Sequence, residues 1–155
     1  MSNTTDIVSA FGSGISAIAA CVAAIGVWYA KDQLKTSREL AQLSFEDALA
    51  KEYRELAGQL SKKALMGESL TDTEYEDAFD ELYRYVDLTN EQISLRARGR
   101  ITPEVWCSWL EGIKSNLALP AFARAWAEIK ERSSGFEELR HLEQDSFSTD
   151  PKKWR

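Results

Sequence analysis

Residues 7–30 form an uncharged run of 24 residues between Asp6 and Lys31. A helix of this length rises roughly 36 Å, which is enough to cross a hydrocarbon core of about 30 Å. A buried helix in a soluble domain rarely continues so far without a charge, and a cleaved signal peptide would carry basic residues before a shorter apolar stretch. The run therefore predicts a single transmembrane helix.

The residues of this run sort by size when they are placed at about 100° per residue around a helix axis. One face is bulky and apolar, and it includes Phe11, Ile18 and Val22. The opposite face is small and weakly polar, and we expect it to face an oligomer axis or a pore; it contains Ser9, Ser13, Ser16, Ala20 and Ala24. Small side chains let helix backbones approach closely in lipid, so this face predicts homo-oligomerisation, either as a tight seam or around an aqueous pore.

The residues that flank the run predict its orientation in the membrane. No Lys or Arg precedes it, whereas Lys31, Lys35 and Arg38 follow it closely. Because basic flanks stay on the cytoplasmic side, we expect the N-terminus outside and the remainder of the chain in the cytoplasm. Trp28 and Tyr29 lie in the last turn of the run, where aromatic rings settle among lipid headgroups. We therefore predict that Trp28, Tyr29, Lys31 and Lys35 lie at the membrane interface.

Composition excludes several classes of function. The net charge is −6 and all the basic residues follow the apolar run, so general nucleic-acid binding is not expected. Cys21 and Cys107 are far apart and His141 is the only histidine, which leaves neither a disulfide framework nor a set of metal ligands. The sequence has no glycine-rich phosphate loop and no activated nucleophile, so we expect no cofactor and no enzyme activity.

The chain after the run has the pattern of amphipathic helices. From residue 31 to about residue 64, apolar residues recur every three or four positions. The members of this stripe are Phe45, Leu49, Tyr53, Leu56 and Leu60. The spacing predicts one long helix that continues from the transmembrane segment and ends at residues 66–69.

Capping signals predict where the next helices begin and end. Thr71 and Glu74 form a capping box at the start of a second helix, which Gly99 ends. Thr102 followed by Pro103 predicts the start of a third helix, and a fourth begins near residue 120. The apolar positions of these helices are strongly aromatic, which favours a compact core over an oligomer interface.

A second capping box, formed by Ser134 and Glu137, predicts a short final helix. No stretch alternates with a period of two, so no sheet is expected. The chain is predicted to be all-α, with one transmembrane helix that continues into a cytoplasmic bundle of about four to five helices. The predicted parts are an N-terminal tail and transmembrane helix at 1–30, the bundle at 31–143, and a loose polar tail at 144–155.

Two charged clusters stand out in the predicted bundle. Asp77, Asp80 and Glu81 form an acidic patch near the start of the second helix, where the helix dipole favours negative charge. The patch is either a solvated face or, around an oligomer axis, an acidic ring that attracts cations to a pore mouth. Arg96 and the nearby basic residues either complement helix ends and neighbouring acids or bind RNA, phosphate or an acidic partner.

The layout resembles a group of small bacterial single-span proteins. The residues that carry this resemblance are Trp28-Tyr29, Gln33-Leu34, Ser37-Arg38, Phe79-x-x-Leu82-Tyr83, Gly99-x-Ile101, Trp106-x-x-Trp109 and Phe122-x-x-x-Trp126. The group is similar in design to the membrane accessory protein of type VI-B CRISPR systems, and this likeness implies an oligomeric pore in the bacterial inner membrane that aids antiphage defence. That accessory family resembles HEPN domains, whose ribonuclease motif places a His after an Arg with four to six residues between them. Here Arg140 is adjacent to His141 and Arg132 is eight intervening residues away, so the motif spacing is absent.

Three functional hypotheses follow from these features. The first is an oligomeric inner-membrane pore or membrane-disrupting effector, whose partners are the lipid bilayer and further copies of the chain. The second is a membrane-tethered adaptor whose helical bundle holds a cytosolic protein partner near the membrane. The third is a diverged, membrane-anchored ribonuclease that would depend on His141 and Arg132.

Overall fold

A computed structural model describes the backbone of residues 3–154 and the side chains of residues 26–154. Within residues 3–154 the chain is helical and contains no strand, which confirms the predicted all-α class. The helices are α1 (Asn3–Gln59), α2 (Lys62–Leu65), α3 (Asp72–Ala97), α4 (Pro103–Leu117), α5 (Pro120–Arg132) and α6 (Glu137–Gln144), followed by a 3₁₀ turn (Pro151–Lys153).

The chain divides into two compact units, residues 1–41 and residues 42–155. In the first unit, every described side chain from residue 26 to residue 41 is exposed. The second unit contains the end of α1 and all the later helices, and it has a continuous apolar core. The predicted bundle therefore corresponds to a unit that starts near residue 42.

No helix in the part searched for membrane spans, which is limited to described residues, is long and apolar enough to cross a bilayer. The predicted transmembrane segment, residues 7–30, lies for the most part outside the described side chains. The same holds for the side chains predicted to face an oligomer axis, which are Ser9, Ser13, Ser16, Ala20 and Ala24.

Helix α3 lies at the centre of the bundle and packs against α5, α6 and the 3₁₀ turn. Its buried side chains recur every three or four residues, as one helix face requires, and include Leu82, Val86, Thr89 and Ile93. Most other predicted core positions are also buried: Leu49, Leu56, Leu60, Trp106, Ile113, Phe122, Trp126, Ile129, Leu139 and Leu142. Phe45 and Tyr53, predicted in the same apolar stripe of α1, are instead 42% and 37% exposed.

The predicted starts of α3 and α4 are confirmed by their hydrogen bonds. The Thr71 backbone N–H donates to Glu74 Oε2 at 2.9 Å, and the Glu74 N–H donates to Thr71 Oγ1 at 3.3 Å. At α4, the Val105 N–H donates to Thr102 Oγ1 at 3.4 Å. Gly99, which follows α3, has a φ of +70°. Because side-chain-bearing residues rarely adopt such a backbone angle, glycine suits this helix end.

The predicted capping box at Ser134 is wrong. Helix α6 begins after Phe136, which has a φ of +63° and makes no side-chain cap. The Phe136 ring instead packs edge-on against Tyr83, at 5.6 Å between centroids, and against Trp126, at 6.3 Å. This aromatic packing fixes the start of α6 at a position that has no capping residue. Burial of a large aromatic ring contributes more to stability than one capping hydrogen bond.

The C-terminal segment differs from the predicted loose tail. Asp150 accepts a hydrogen bond from Arg96 Nε at 2.8 Å and forms an ion pair with the same guanidinium through its second oxygen. Pro151 is buried, and Phe147 and Trp154 pack against the core. The segment is held because Arg96 is only 3% exposed, and a buried guanidinium requires an anionic partner.

Candidate functional site

A cavity of about 240 Å³ lies between α1, α3 and α4, within the second unit. Each helix contributes one face to it, because the lining residues recur at three- and four-residue spacings. They are Ala50, Tyr53 and Arg54 from α1; Tyr85, Leu88, Thr89 and Gln92 from α3; and Ser108, Trp109, Gly112, Ile113 and Asn116 from α4. The walls are thus mainly aromatic and aliphatic, with a few neutral polar groups and one cation.

Two tyrosines lie against each other in the cavity wall. The rings of Tyr53 and Tyr85 are 6.4 Å apart between centroids, and the Asn116 amide donates to the Tyr53 hydroxyl at 3.3 Å. Tyr85 also packs edge-on against Phe122 at 4.8 Å. Burial raises the pKa of Tyr85 to about 12, so its phenol is protonated at neutral pH. The wall therefore presents neutral aromatic surface.

Gln92 is the most unusual residue of the cavity. Its side chain is 6% exposed, yet within residues 26–154 it makes no hydrogen bond. Among the described residues, the fully buried side-chain polar atom that lacks a partner is Trp154 Nε1, so the amide atoms of Gln92 are accessible from the cavity that this residue lines. The Gln92 amide is therefore a free donor and acceptor at a cavity wall.

Arg54 is the charged residue of the lining, and its side chain is exposed. Within residues 26–154 it forms no ion pair, and no carboxylate lines the cavity. Arg54 is exposed and also lines the cavity, so it lies at the cavity entrance. The entrance therefore carries a guanidinium group that is free to bind a ligand. This positive entrance contrasts with the net charge of −6 of the whole chain.

The predicted acidic patch is present on α3. Asp77 and Asp80 are exposed, Glu81 is half-buried, and none of the three forms an ion pair within the described side chains. One turn before them, Glu74 accepts a hydrogen bond from Lys63 Nζ at 2.6 Å. This hydrogen bond, with that from the Thr71 backbone, lowers the pKa of Glu74 from 4.5 to about 2.

The structure separates the three arginines near the end of α3. Arg96 is buried against Asp150, Arg98 is exposed, and the Arg100 guanidinium lies 5.5 Å from the centroid of the Phe45 ring. Arg96 has the first of the two predicted roles, because it contacts an acidic side chain. The cluster does not form one shared phosphate site within the described residues.

His141 and the arginines near it contact other residues of the bundle. The His141 imidazole stacks on the Trp154 indole at 4.0 Å between centroids, and Arg132 forms an ion pair with Glu128 at 2.9 Å. The Arg140 guanidinium donates to backbone carbonyl groups in the last turn of α5 and in the loop before α6. No group of three or more potential metal ligands occurs among the residues searched, which are the described ones.

The predicted membrane-interface residues are all exposed. Trp28 and Tyr29 are 67% and 68% exposed, and Lys31 and Lys35 also lie at the surface of α1. Lys35 Nζ is 3.9 Å from Glu39 Oε1, an i,i+4 pair. Because every described side chain from residue 26 to residue 41 is exposed, the location of these residues among lipid headgroups stays a prediction.

The sequence does not predict the cavity, although it contains one signal of it. Gln92 occupies a position in the buried stripe of α3, three residues after Thr89 and next to Ile93. An amide at a core position of an amphipathic helix marks either a buried hydrogen bond or a polar cavity wall. Tyr53 is predicted as a core residue, and its place in the lining depends on helices that are distant in sequence.

Comparison of the chain with protein-family models, with curated proteins and with solved structures gives no match. The resemblance to the type VI-B accessory family therefore stays an expectation from the residues quoted above.

Proposed function

We propose that the protein is a homo-oligomer of the bacterial inner membrane that forms a pore or disrupts the bilayer, with its helical bundle on the cytoplasmic side. The observation that carries the proposal is the uncharged run of 24 residues whose serines and alanines share one face. In lipid, helices associate through close backbone approach and through hydrogen bonds, and such a face supplies both.

The residues in the last turn of this run and just after it support the proposed depth in the membrane. Trp28 and Tyr29 are largely exposed, and Lys31 and Lys35 follow them within two turns. Aromatic rings followed by lysines are typical of the cytoplasmic interface of a spanning helix. The bundle itself forms a separate compact unit with its own core, as a cytoplasmic domain requires.

The test replaces small residues of the run with large ones. Expression of Ser13→Leu or Ala20→Phe in bacteria should abolish the membrane depolarisation and growth arrest caused by the wild-type chain, because the large side chains separate the helices or block the pore. Membrane potential is read with a voltage-sensitive dye, and the amount of protein in the membrane fraction is measured in parallel.

The matched control is Val22→Phe, which adds similar bulk on the opposite, lipid-facing side and should leave depolarisation unchanged. Equal leakage from Ala20→Phe and the wild type would contradict the proposal. A monomer in the native mass spectrum of the detergent-solubilised chain would contradict it as well.

The adaptor hypothesis is the second candidate, and the self-contained bundle of residues 42–155 favours it. An adaptor needs only an anchor, so replacement of residues 7–30 by an unrelated span of equal length would preserve its function. A pore would lose its function in the same exchange. Retained defence or toxicity in the exchanged chain therefore identifies an adaptor.

A further inference from the structure

The cavity between α1, α3 and α4 has the composition of a small-ligand site. Such sites are mostly apolar and aromatic, with a few polar groups that orient the ligand. Here the walls are supplied by Tyr53, Tyr85, Trp109 and aliphatic residues, and the volume of about 240 Å³ is slightly below the usual range for drug-sized ligands. The cavity is therefore suited to one planar ring system and is too small for a folded peptide segment.

The polar groups of the cavity indicate which kind of planar ring it binds. The unpartnered Gln92 amide offers a donor and an acceptor side by side, a pair that matches the edge of a nucleobase, as glutamine matches adenine in protein–DNA complexes. Aromatic side chains provide stacking surface that accepts any base. The cavity wall thus offers both of the contacts by which proteins recognise a base.

The entrance of the cavity indicates which charged group the ligand carries. Arg54 is exposed, makes no ion pair within residues 26–154 and has no carboxylate beside it in the lining. A free guanidinium is the preferred partner of a phosphate, which it can bind through two parallel hydrogen bonds. A ligand with an apolar planar ring and a phosphate would satisfy both ends of the site.

We infer that this cavity binds a nucleoside monophosphate, with the base inside against Gln92 and the phosphate at Arg54. The lining residues all fall between residues 50 and 116, so the site does not depend on whether residues 7–30 form a pore. A ligand of this size in a site with so few polar contacts binds with a Kd on the order of 10–100 µM.

The first experiment measures binding to the full-length chain in detergent by isothermal titration calorimetry. The titrants are AMP, GMP, CMP, UMP, the corresponding nucleosides and inorganic phosphate. At least one monophosphate should bind, its nucleoside should bind about tenfold more weakly, and phosphate alone should not bind measurably. Absence of binding by all four monophosphates at millimolar concentration would overturn the inference, as would equal binding of inorganic phosphate.

Two glycines provide a matched pair that tests the location. A Cβ placed on Gly112 or on Gly58 meets nothing within 4 Å, and only Gly112 lines the cavity. Gly112→Phe should fill the cavity and abolish binding, while Gly58→Phe should bind as the wild type does. Wild-type affinity in Gly112→Phe would overturn the inference.

Substitutions at the polar groups test the assigned contacts. Gln92→Leu keeps the side-chain size and should weaken the nucleotide and the nucleoside alike, by about tenfold. Arg54→Met should weaken only the nucleotide and so make its affinity equal to that of the nucleoside. Arg98→Met removes an exposed arginine outside the cavity and should change neither. Unchanged nucleotide affinity in both cavity variants would overturn the inference, and a circular dichroism spectrum identical to that of the wild type shows that each variant is folded.

Discussion

Two stretches of helix α1, residues 26–45 and residues 46–59, have similar apolar patterns and opposite surroundings. Leu34, Leu40 and Leu43 in the first stretch are 52%, 62% and 55% exposed, whereas Leu49 and Leu56 in the second are 6% and 2% exposed. Periodic leucines give a helix an apolar face, but another element must pack on that face before it is buried. The exposed stretch contains the end of the predicted transmembrane run and the residues that follow it, and under the proposed function lipid or another copy of the chain covers its apolar side chains.

The strongest test of this comparison is truncation of one leucine in each stretch. Leu56→Ala should lower the free energy of unfolding by about 3 kcal/mol, because it removes buried methyl groups and leaves a cavity. Leu40→Ala should change it by less than about 0.5 kcal/mol, because its side chain is already exposed. Denaturant unfolding of the full-length chain in detergent measures both values, and similar losses would show that the two stretches are equally buried.

Ion pairs provide the second test, because an exposed pair in the first stretch of α1 can be compared with a buried pair in the bundle. Asp150→Asn should lower the free energy of unfolding by about 2–3 kcal/mol, since it leaves the buried Arg96 guanidinium without its anion. Glu39→Gln removes the exposed partner of Lys35 and should cost less than about 0.5 kcal/mol. The same unfolding experiment applies, and a small effect of Asp150→Asn would indicate that the C-terminal segment contributes little to the bundle.

The pH dependence of stability should also come from the bundle. Hydrogen bonds from Arg96 lower the pKa of Asp150, and the contact with Lys63 lowers that of Glu74 to about 2. A carboxyl group whose pKa is lowered in the folded state stabilises the fold at pH values above its ordinary pKa. This stabilisation is lost as the pH falls through the lowered pKa. Thermal melts should therefore show decreasing stability from about pH 4.5 to about pH 2.

Asp150→Asn serves as the control for that pH dependence. The variant lacks one of the two carboxylates, so its stability should fall less steeply over the same pH range. If the stability of Asp150→Asn falls with pH as steeply as that of the wild type, Asp150 does not contribute to the pH dependence.

The smallest expected effects distinguish the two capping boxes that the sequence predicts. Thr71→Ala should cost about 1 kcal/mol, because the Thr71 hydroxyl accepts a hydrogen bond from the Glu74 N–H. Ser134→Ala should cost less than about 0.5 kcal/mol, because Ser134 does not cap α6. Equal costs in unfolding experiments would contradict the assigned start of α6.

Much of the bundle is predictable from the sequence because its signals are local. The Thr71 capping box, the Thr102–Pro103 start of α4 and the glycine that ends α3 each depend on residues within one or two turns. The start of α6 is not predictable in this way, because Phe136 is placed by rings on other helices. The candidate site is also beyond local signals, since Gln92 lines a cavity only when three helices meet.

The sequence alone determined the helical class, the starts of α3, α4 and α5 and most of the apolar core positions, because these follow from spacing and from hydrogen bonds between near neighbours. The end of α1 at Gln59, several residues before the predicted end, was not determined in this way. The tertiary structure decided which apolar faces are buried, how Arg96 is neutralised by a residue more than fifty positions away, and where an amide is left beside a cavity. Those outcomes depend on contacts between distant segments, and burial, which sets their energies, exists only after the helices have packed.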